Sequence, residues 1–314
     1  MEKKIKEKKI SVIVPVYKCI ECLNDLYIQL KNVLLLISNN FEIIFINDAS
    51  PDNTWHIIKN IAKKDKKVKG LNLSRNFGQH HAIIAGIDHV NSDWVVVIDC
   101  DLQENPADIK RLYDKAIEGF DMVLAKRITR EDTFLKIFTS KIYFYIFNYF
   151  TDTKANNDIG NFGIYSKKVI ESIKEFKEQN RVFSLLTNWT GFNRAVINIT
   201  RYKRKSGKSS YNIRKLLKLA VESIISHSNK PLKFTVFLGL ILSFSSFLIG
   251  LWLITQYYIY SISVKGWTSL IVSIYFLSGL ILGAIGMLGL YIGKIFDQVK
   301  NRPFYIISDK INIK

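Results

Sequence analysis

WVVVIDCDLQENP, residues 94–106, is the stretch on which the reading of this chain turns. Trp94, Val95, Val96, Val97 and Ile98 form an apolar, largely β-branched run with no polar alternation, the pattern of a strand covered on both faces. Two carboxylates, Asp99 and Asp101, follow at once around Cys100, and Pro106 then opens a helix. In open α/β sheets ligands bind beyond the carboxyl ends of the strands, so a buried strand that releases two acids into one short turn delivers them to the ligand crevice. Adjacent carboxylates repel unless a cation joins them. Mg²⁺ or Mn²⁺, held by a carboxylate or two together with substrate phosphates, answers that repulsion, and Gln103 offers a further oxygen ligand.

The same alternation runs upstream. ISVIVPV (10–16) reads as a strand and is followed by helical spacing at Leu23, Leu26, Tyr27, Leu30, Val33 and Leu34. EIIFI (42–46) is a second strand, followed by a turn at Ser50 and Pro51 and a helix over 53–64 with Ile57, Ile58 and Ile61 inward. VKGLNL (68–73) and a helix over 79–90 complete the repeat before residue 94. Such alternation predicts an α/β domain, a mainly parallel sheet with helices on both faces. The strand ends are polar: Pro15 and Tyr17 at the first, Asn47 and Asp48 at the second, Ser74 and Arg75 at the third.

Residues 234–264 and 266–293 carry no charged side chain. At about 1.5 Å rise per residue each run exceeds a hydrocarbon core of about 30 Å, so the two read as a transmembrane hairpin. Lys203, Arg204, Lys205, Lys208, Arg214, Lys215, Lys218, Lys230 and Lys233 precede it, Lys294, Lys300, Arg302, Lys310 and Lys314 follow it, and only Lys265 lies between the spans. The positive-inside rule then puts both ends in the cytoplasm. Before the first span, Ile213, Leu216, Leu217, Ala220, Val221, Ile224 and Ile225 line one helical face, opposite Arg214, Lys215 and Lys218, as in a helix lying at the membrane interface or packed on the soluble domain. The expected division is a catalytic domain over 1–205, a basic loop and amphipathic helix over 206–232, spans over 233–264 and 266–293, and a basic tail over 294–314. Gly279, Gly283, Ala284 and Gly286 give the second span a face suited to helix packing, compatible with a dimer or tetramer.

Lys and Arg number 45 against 27 Asp and Glu, a net charge of +18 that favours anionic partners. Much of that charge flanks the spans, where acidic lipid headgroups account for it, so nucleic acid is not the expected partner. Three cysteines, an odd count, argue against a disulfide framework. Cys19 and Cys22 form a CxxC with no second pair and no thioredoxin-like remainder, and carry no redox reading. The apolar run after the charged start MEKKIKEKKI is too short for a secretory signal. His80 and His81 lack a third clustered ligand and read as pocket-wall residues. The sequons at Asn188 and Asn198 are silent on a cytoplasmic domain. The aromatic cluster from Tyr143 to Phe150 reads as core or membrane-contacting surface.

VIVPVYK (12–18), INDASPDNT (46–54), LSRNFGQHHAIIAGI (73–87) and DCDLQENP (99–106) come in order, followed by KRITR (126–130), RKSGKSSY (204–211) and NRPFY (301–305). In these motifs, over nearly the whole chain, the sequence resembles the family 2 glycosyltransferases of the GT-A fold, and most closely their dolichyl- or polyprenyl-phosphate sugar transferases. The resemblance implies that Asp48 contacts the base or ribose of a nucleotide sugar within a wall formed by Pro15 and Tyr17; a helix cap is the other reading of Asp48. It implies that Asp99 lies near ribose and metal, and that Asp101 and Gln103 bind the metal. Arg127 and Arg130 would receive the lipid phosphate, and Asp158 would belong to the acceptor site. Arg204, Gly207, Ser209 and Tyr211 would lie on a loop that closes over the donor diphosphate.

Two departures stand out: Ser210 replaces a usual lysine, and Gly163 occupies a position that is often arginine. No general base is required, because a phosphate monoester with a second pKa of about 6 is already largely a dianion at neutral pH. Attack at the anomeric carbon would invert configuration. The expected donor is a UDP-sugar such as UDP-glucose, and the expected acceptor is undecaprenyl phosphate. A processive polysaccharide synthase of the same fold would carry a Gln-x-x-Arg-Trp motif and more spans; a non-enzymatic basic membrane or nucleic-acid-binding protein is the other alternative.

Overall fold

The computed structural model describes residues 7–128, 145, 148–150, 159–179, 181–200, 224–225, 228–260 and 266–313. The sites read at Arg130, Asp158, Arg204 and Ser209, and nearly all of the amphipathic stretch before the first span, lie outside those residues.

In chain order the elements are β1 (Ile10–Val16), α1 (Leu23–Leu35), β2 (Phe41–Asn47), α2 (Thr54–Lys64), β3 (Val68–Leu73), α3 (Gln79–Asp88), β4 (Trp94–Val97), α4 (Asp108–Ala116) and β5 (Met122–Arg127). They continue with β6 (Ile159–Ser166), α5 (Lys167–Glu175), α6 (Phe183–Trp189), β7 (Arg194–Ile199), α7 (Lys230–Tyr260), α8 (Trp267–Val299) and β8 (Ile307–Ile311). β1 and β2 are buried along their whole length, which is why neither shows a polar face in sequence. Ile43, Phe45, Leu26 and Leu30 belong to the apolar layer on one side of the sheet, and Ile44, Ile46, Ile83 and Ile84 to that on the other.

The eight strands are ordered β7-β5-β6-β4-β1-β2-β3-β8. β1 pairs in parallel with both β2 and β4, so the chain crosses to one side of β1 first and to the other later. Ligand crevices form where strand order reverses in this way. β4 ends its pairing at Val97 opposite Ile13, whereas β1 runs on to Val16 beside Asn47. Pro15 therefore sits in a central strand at a level where one neighbour has already stopped, and its missing N–H removes no ladder bond on that open side.

Two strands depart from the parallel set. β6 enters antiparallel between β4 and β5, and β8 pairs antiparallel with β3. The second is a difference from the sequence reading of 294–314 as a basic tail: α8 runs to Val299, and the chain then adds a strand to the sheet. Arg302–Lys314 belongs to the same compact unit as the sheet. Ile311 packs on one apolar layer and Ile307, Ile313 and Tyr305 on the other, while intervening Ser308, Asp309 and Lys310 stay exposed. Four isoleucines, Ile306, Ile307, Ile311 and Ile313, spaced irregularly in a polar run, leave too weak a pattern to announce a strand.

The second unit contains α7 and α8. These helices have 31 and 33 residues, and both are long and apolar enough to cross a membrane. Phe237, Leu240, Phe244, Phe247, Leu282 and Ile292 are among the large apolar side chains they expose. A surface of that kind belongs in lipid rather than water.

Candidate active site

The loops after β1, β2 and β4 each hold one non-glycine residue in the left-handed region: Lys18 at φ 53°, Ala49 at φ 50° and Leu102 at φ 56°. Such conformations are held by their surroundings and gather where side chains must be aimed. Leu102 lies between Asp101 and Gln103, and the turn it makes lets Asp101 Oδ1 accept the Gln103 N–H at 3.2 Å. The Cys19 thiol donates to the Cys100 carbonyl at 2.8 Å, joining the loop after β1 to the carboxylate loop. Cys19 and Cys22 are buried and in no disulfide, and the bond to Cys100 together with burial pushes the Cys19 thiol far up, which disfavours its thiolate.

Asp48 is 3% exposed, and its two oxygens accept the N–H groups of Phe77 at 2.7 Å and Gly78 at 2.9 Å. Burial pushes its carboxyl up and those amides draw it back. It is not the cap of α2, since Asp52 accepts the Thr54 N–H at 3.2 Å. Gly78, at φ 97°, leads into α3, whose first residue Gln79 donates from Nε2 to Asp99 Oδ1 at 2.6 Å. His80 is inside the same helix start with Nδ1 unpaired, and burial pulls its pKa down to about 4, so the ring stays neutral. Tyr17 stays 44% exposed at the mouth, with Lys18 Nζ 5.5 Å from its ring centre.

Asp99 is the strongly shifted carboxyl of this edge. Burial, then the charges of Glu104 and Asp101, push its carboxyl up to about 7, with Arg127 and Gln79 acting the other way. Glu104 is 3% exposed; Oε1 accepts from Arg127 Nη2 at 2.9 Å and Oε2 has no partner. Three carboxylates thus face one guanidinium. The donors are hard oxygens with negative charge in surplus, which fits Mg²⁺ or Mn²⁺. Among the described residues no three His, Cys, Asp or Glu side chains converge to hold an ion alone, so a cation held here would need oxygens from substrate or water as well.

Arg127 ends β5 and lies across Gly160 of β6, where a Cβ would come 2.6 Å from Nη2. A side chain at residue 160 would make the guanidinium shift from that place. Gly163 answers one departure noted in the sequence: a Cβ there would stand 2.8 Å from the Val123 carbonyl, so the β5–β6 pairing admits no larger residue. Tyr165 donates to the Asn161 carbonyl at 3.2 Å, and burial drives its phenol well up.

A family model described as "Glycosyl transferase family 2" matches residues 11–174, which span β1 to α5 and every site loop above. The chain belongs to that family. It is 40% identical over 301 residues to the SfII prophage-derived bactoprenol glucosyl transferase of Shigella flexneri, covering 96% of this chain and 97% of the relative. It is 34% identical to the uncharacterized glycosyltransferase YkcC of Bacillus subtilis, covering 97% and 94%. Among solved structures, the glucosyl-3-phosphoglycerate synthase of Mycobacterium tuberculosis with Mn²⁺, UDP and glucosyl-3-phosphoglycerate aligns with a TM-score of 0.48 at 15% identity, covering 70% of this chain and 78% of that one. The protein is therefore a glycosyltransferase.

In this glycosyltransferase the structure gathers Pro15, Tyr17, Asp48, Asp99, Asp101, Gln103 and Arg127 on loops and strand ends along the carboxyl edge of β1, β2, β4 and β5. Sequence reading missed Glu104 and Gln79. Glu104 stands in the quoted DCDLQENP motif, and a third acid close behind Asp99 and Asp101 with no nearby base was the available signal. Its partner is 23 residues away.

Proposed function

We propose that this glycosyltransferase moves a sugar from a nucleotide donor to the phosphate of a polyprenyl lipid at the cytoplasmic face of a membrane, with inversion at the anomeric carbon. The observation that carries the reading is the 40% identity to a bactoprenol glucosyl transferase that runs through the apolar helices as well as the sheet. UDP-glucose is the proposed donor and undecaprenyl phosphate the proposed acceptor.

Pro15, Tyr17 and Asp48 receive the nucleoside; Asp48 also fixes the Phe77–Gly78 turn that positions Gln79 against Asp99. Asp99, Asp101 and Gln103 would hold Mg²⁺ or Mn²⁺, which when bound neutralises charge on the departing diphosphate. Arg127, held by Glu104, meets the acceptor phosphate together with Arg130, and Asp158 completes the acceptor side. Arg204 and Ser209 close over the donor diphosphate. The acceptor is a dianion at neutral pH, so the residues have to bring two anions together rather than remove a proton. The basic flanks of α7 and α8 support cytoplasmic placement of both ends.

The test offers the purified full chain a panel of labelled nucleotide sugars with undecaprenyl phosphate and Mn²⁺. Label from UDP-glucose should pass into the organic phase. Label entering only a water-soluble polymer would contradict the lipid-acceptor reading.

A further inference from the structure

Asn47 and Asn72 stand opposite each other at the carboxyl ends of β2 and β3. Asn47 is 2% exposed, and its Nδ2–H donates to Asn72 Oδ1 at 2.7 Å. Its Oδ1 accepts the backbone N–H of Ser50 at 3.3 Å, and Ser50 Oγ in turn accepts the N–H of Lys18 at 3.1 Å. On the far side, Asn72 Nδ2–H donates to Ser308 Oγ at 2.9 Å, and the Ser308 hydroxyl donates to the Asn72 carbonyl at 3.1 Å. Ser308 is the additional residue in β8 where the register shifts, Asp309 facing Asn72 and Ile307 facing Leu73. A bulge of this kind re-aims a side chain.

The polarity of this chain of bonds is fixed at one end. The Ser50 backbone N–H can only donate, so Asn47 must turn Oδ1 to it and Nδ2 to Asn72. Asn72 must then present its oxygen to Asn47 and its amide hydrogens to β8. An amide flip at either residue sets two donors or two acceptors face to face. The loop so held contains Asp48 and the left-handed Ala49, a conformation that needs support from its neighbours.

We propose that Asn72, oriented by Ser308 of the C-terminal strand, is a positioning residue for the donor loop 47–50. It rests on the reading of that loop as the nucleotide site and adds what orders it: a residue that touches no substrate, backed by a strand that arrives after α8. β8 is anchored separately by Trp55 Nε1–H to Asp309 Oδ2 at 3.0 Å, Tyr305 to Asp88 at 3.0 Å, and Arg181 stacked 3.9 Å from the Phe304 ring centre. Docking of the strand and orientation of the loop can therefore be separated by mutation.

The experiment measures amide hydrogen exchange over 16–19 and 47–52 in the detergent-purified full chain, with calorimetric binding of UDP in Mn²⁺ as a second readout. Asn72→Leu leaves the buried Asn47 amide unpaired and should raise exchange in both segments and the UDP Kd by about tenfold. Ser308→Ala, which acts through an exposed bond, should raise both by about two- to fivefold, and Ser308→Thr should restore them. Asp309→Ala, which weakens docking only, should lower the melting temperature and leave the loop unchanged. Wild-type exchange in both Asn72→Leu and Ser308→Ala, or an equal loop response to Asp309→Ala, overturns the proposal. Failure of the wild type to bind UDP would instead count against the nucleotide reading, while the exchange result still decides whether Asn72 orders the loop.

Discussion

Two buried glutamates divide this sheet into a finished edge and an unfinished one. Glu42, 5% exposed in β2, accepts from the Ser11 hydroxyl at 2.6 Å and meets Lys9 at 3.0 Å and Lys69 at 2.8 Å. Burial opposes its charge, yet the bonds from Lys69, Ser11 and Lys9 outweigh burial and hold its carboxyl below the usual range. Glu104, 3% exposed, meets one guanidinium and the Asp99 backbone amide and keeps an orphan oxygen, and burial leaves its carboxyl above the usual range. Both acids have little exposed surface, Glu104 the less of the two. They differ in the positive charge that meets them, two lysines against one arginine, and the weaker-met acid lies beside Asp99 and Asp101, where the proposed charged ligand would bind.

The largest way to break that comparison is Asp101→Ala. Removing a carboxylate from the deficient edge should lower kcat at least about a hundredfold while the melting temperature holds, measured by organic-phase label transfer and thermal unfolding. Next comes a paired substitution. Glu42→Ala should destabilise the fold by about 1–3 kcal/mol in urea unfolding, with specific activity of the folded enzyme unchanged. Glu104→Ala should instead lower activity about tenfold or more, because Arg127 loses the contact that holds it over Gly160.

The smallest effect is a difference in pH slope. Glu42 has a depressed folded pKa, so its stabilisation is present above the unfolded value and is lost as pH falls through the folded one. Asp99 goes the other way: its folded pKa is raised from 3.8 to about 7, the native state holds the extra proton across that window, and stability falls as pH rises through it. In metal-free protein, Asp99→Asn should flatten the decline in melting temperature between those values, and Mn²⁺ at pH 7 or above should raise the wild-type melting temperature. An unchanged slope in Asp99→Asn would contradict this assignment.

Strands β1, β2 and β4 were legible because Val12, Ile43 and Val96 belong to largely apolar, β-branched runs, and β3, which Lys69 and Asn72 interrupt, by its place in the alternation of strand and helix. The acids at the strand ends were legible for the same reason, since their place follows from the strand before them. Gly160 and Gly163 were not, because their meaning is a contact with β5 that no local pattern records. β8 was hidden more deeply, as its partner β3 lies more than two hundred residues upstream, with Asn72 and Ser308 separated by 236 positions. Glu104 was in plain view, but its pairing with Arg127 depends on β6 bringing Gly160 under the guanidinium.

The carboxylate edge is proposed to be completed by a nucleotide diphosphate and a divalent cation that arrive together. The most direct measurement is titration calorimetry of UDP into the full chain at pH 7.5, with and without Mn²⁺. The account predicts saturable binding with Mn²⁺, binding weaker by at least about tenfold without it, and loss of the Mn²⁺ effect in Asp101→Ala. Equal UDP affinity with and without Mn²⁺ in the wild-type protein would contradict it.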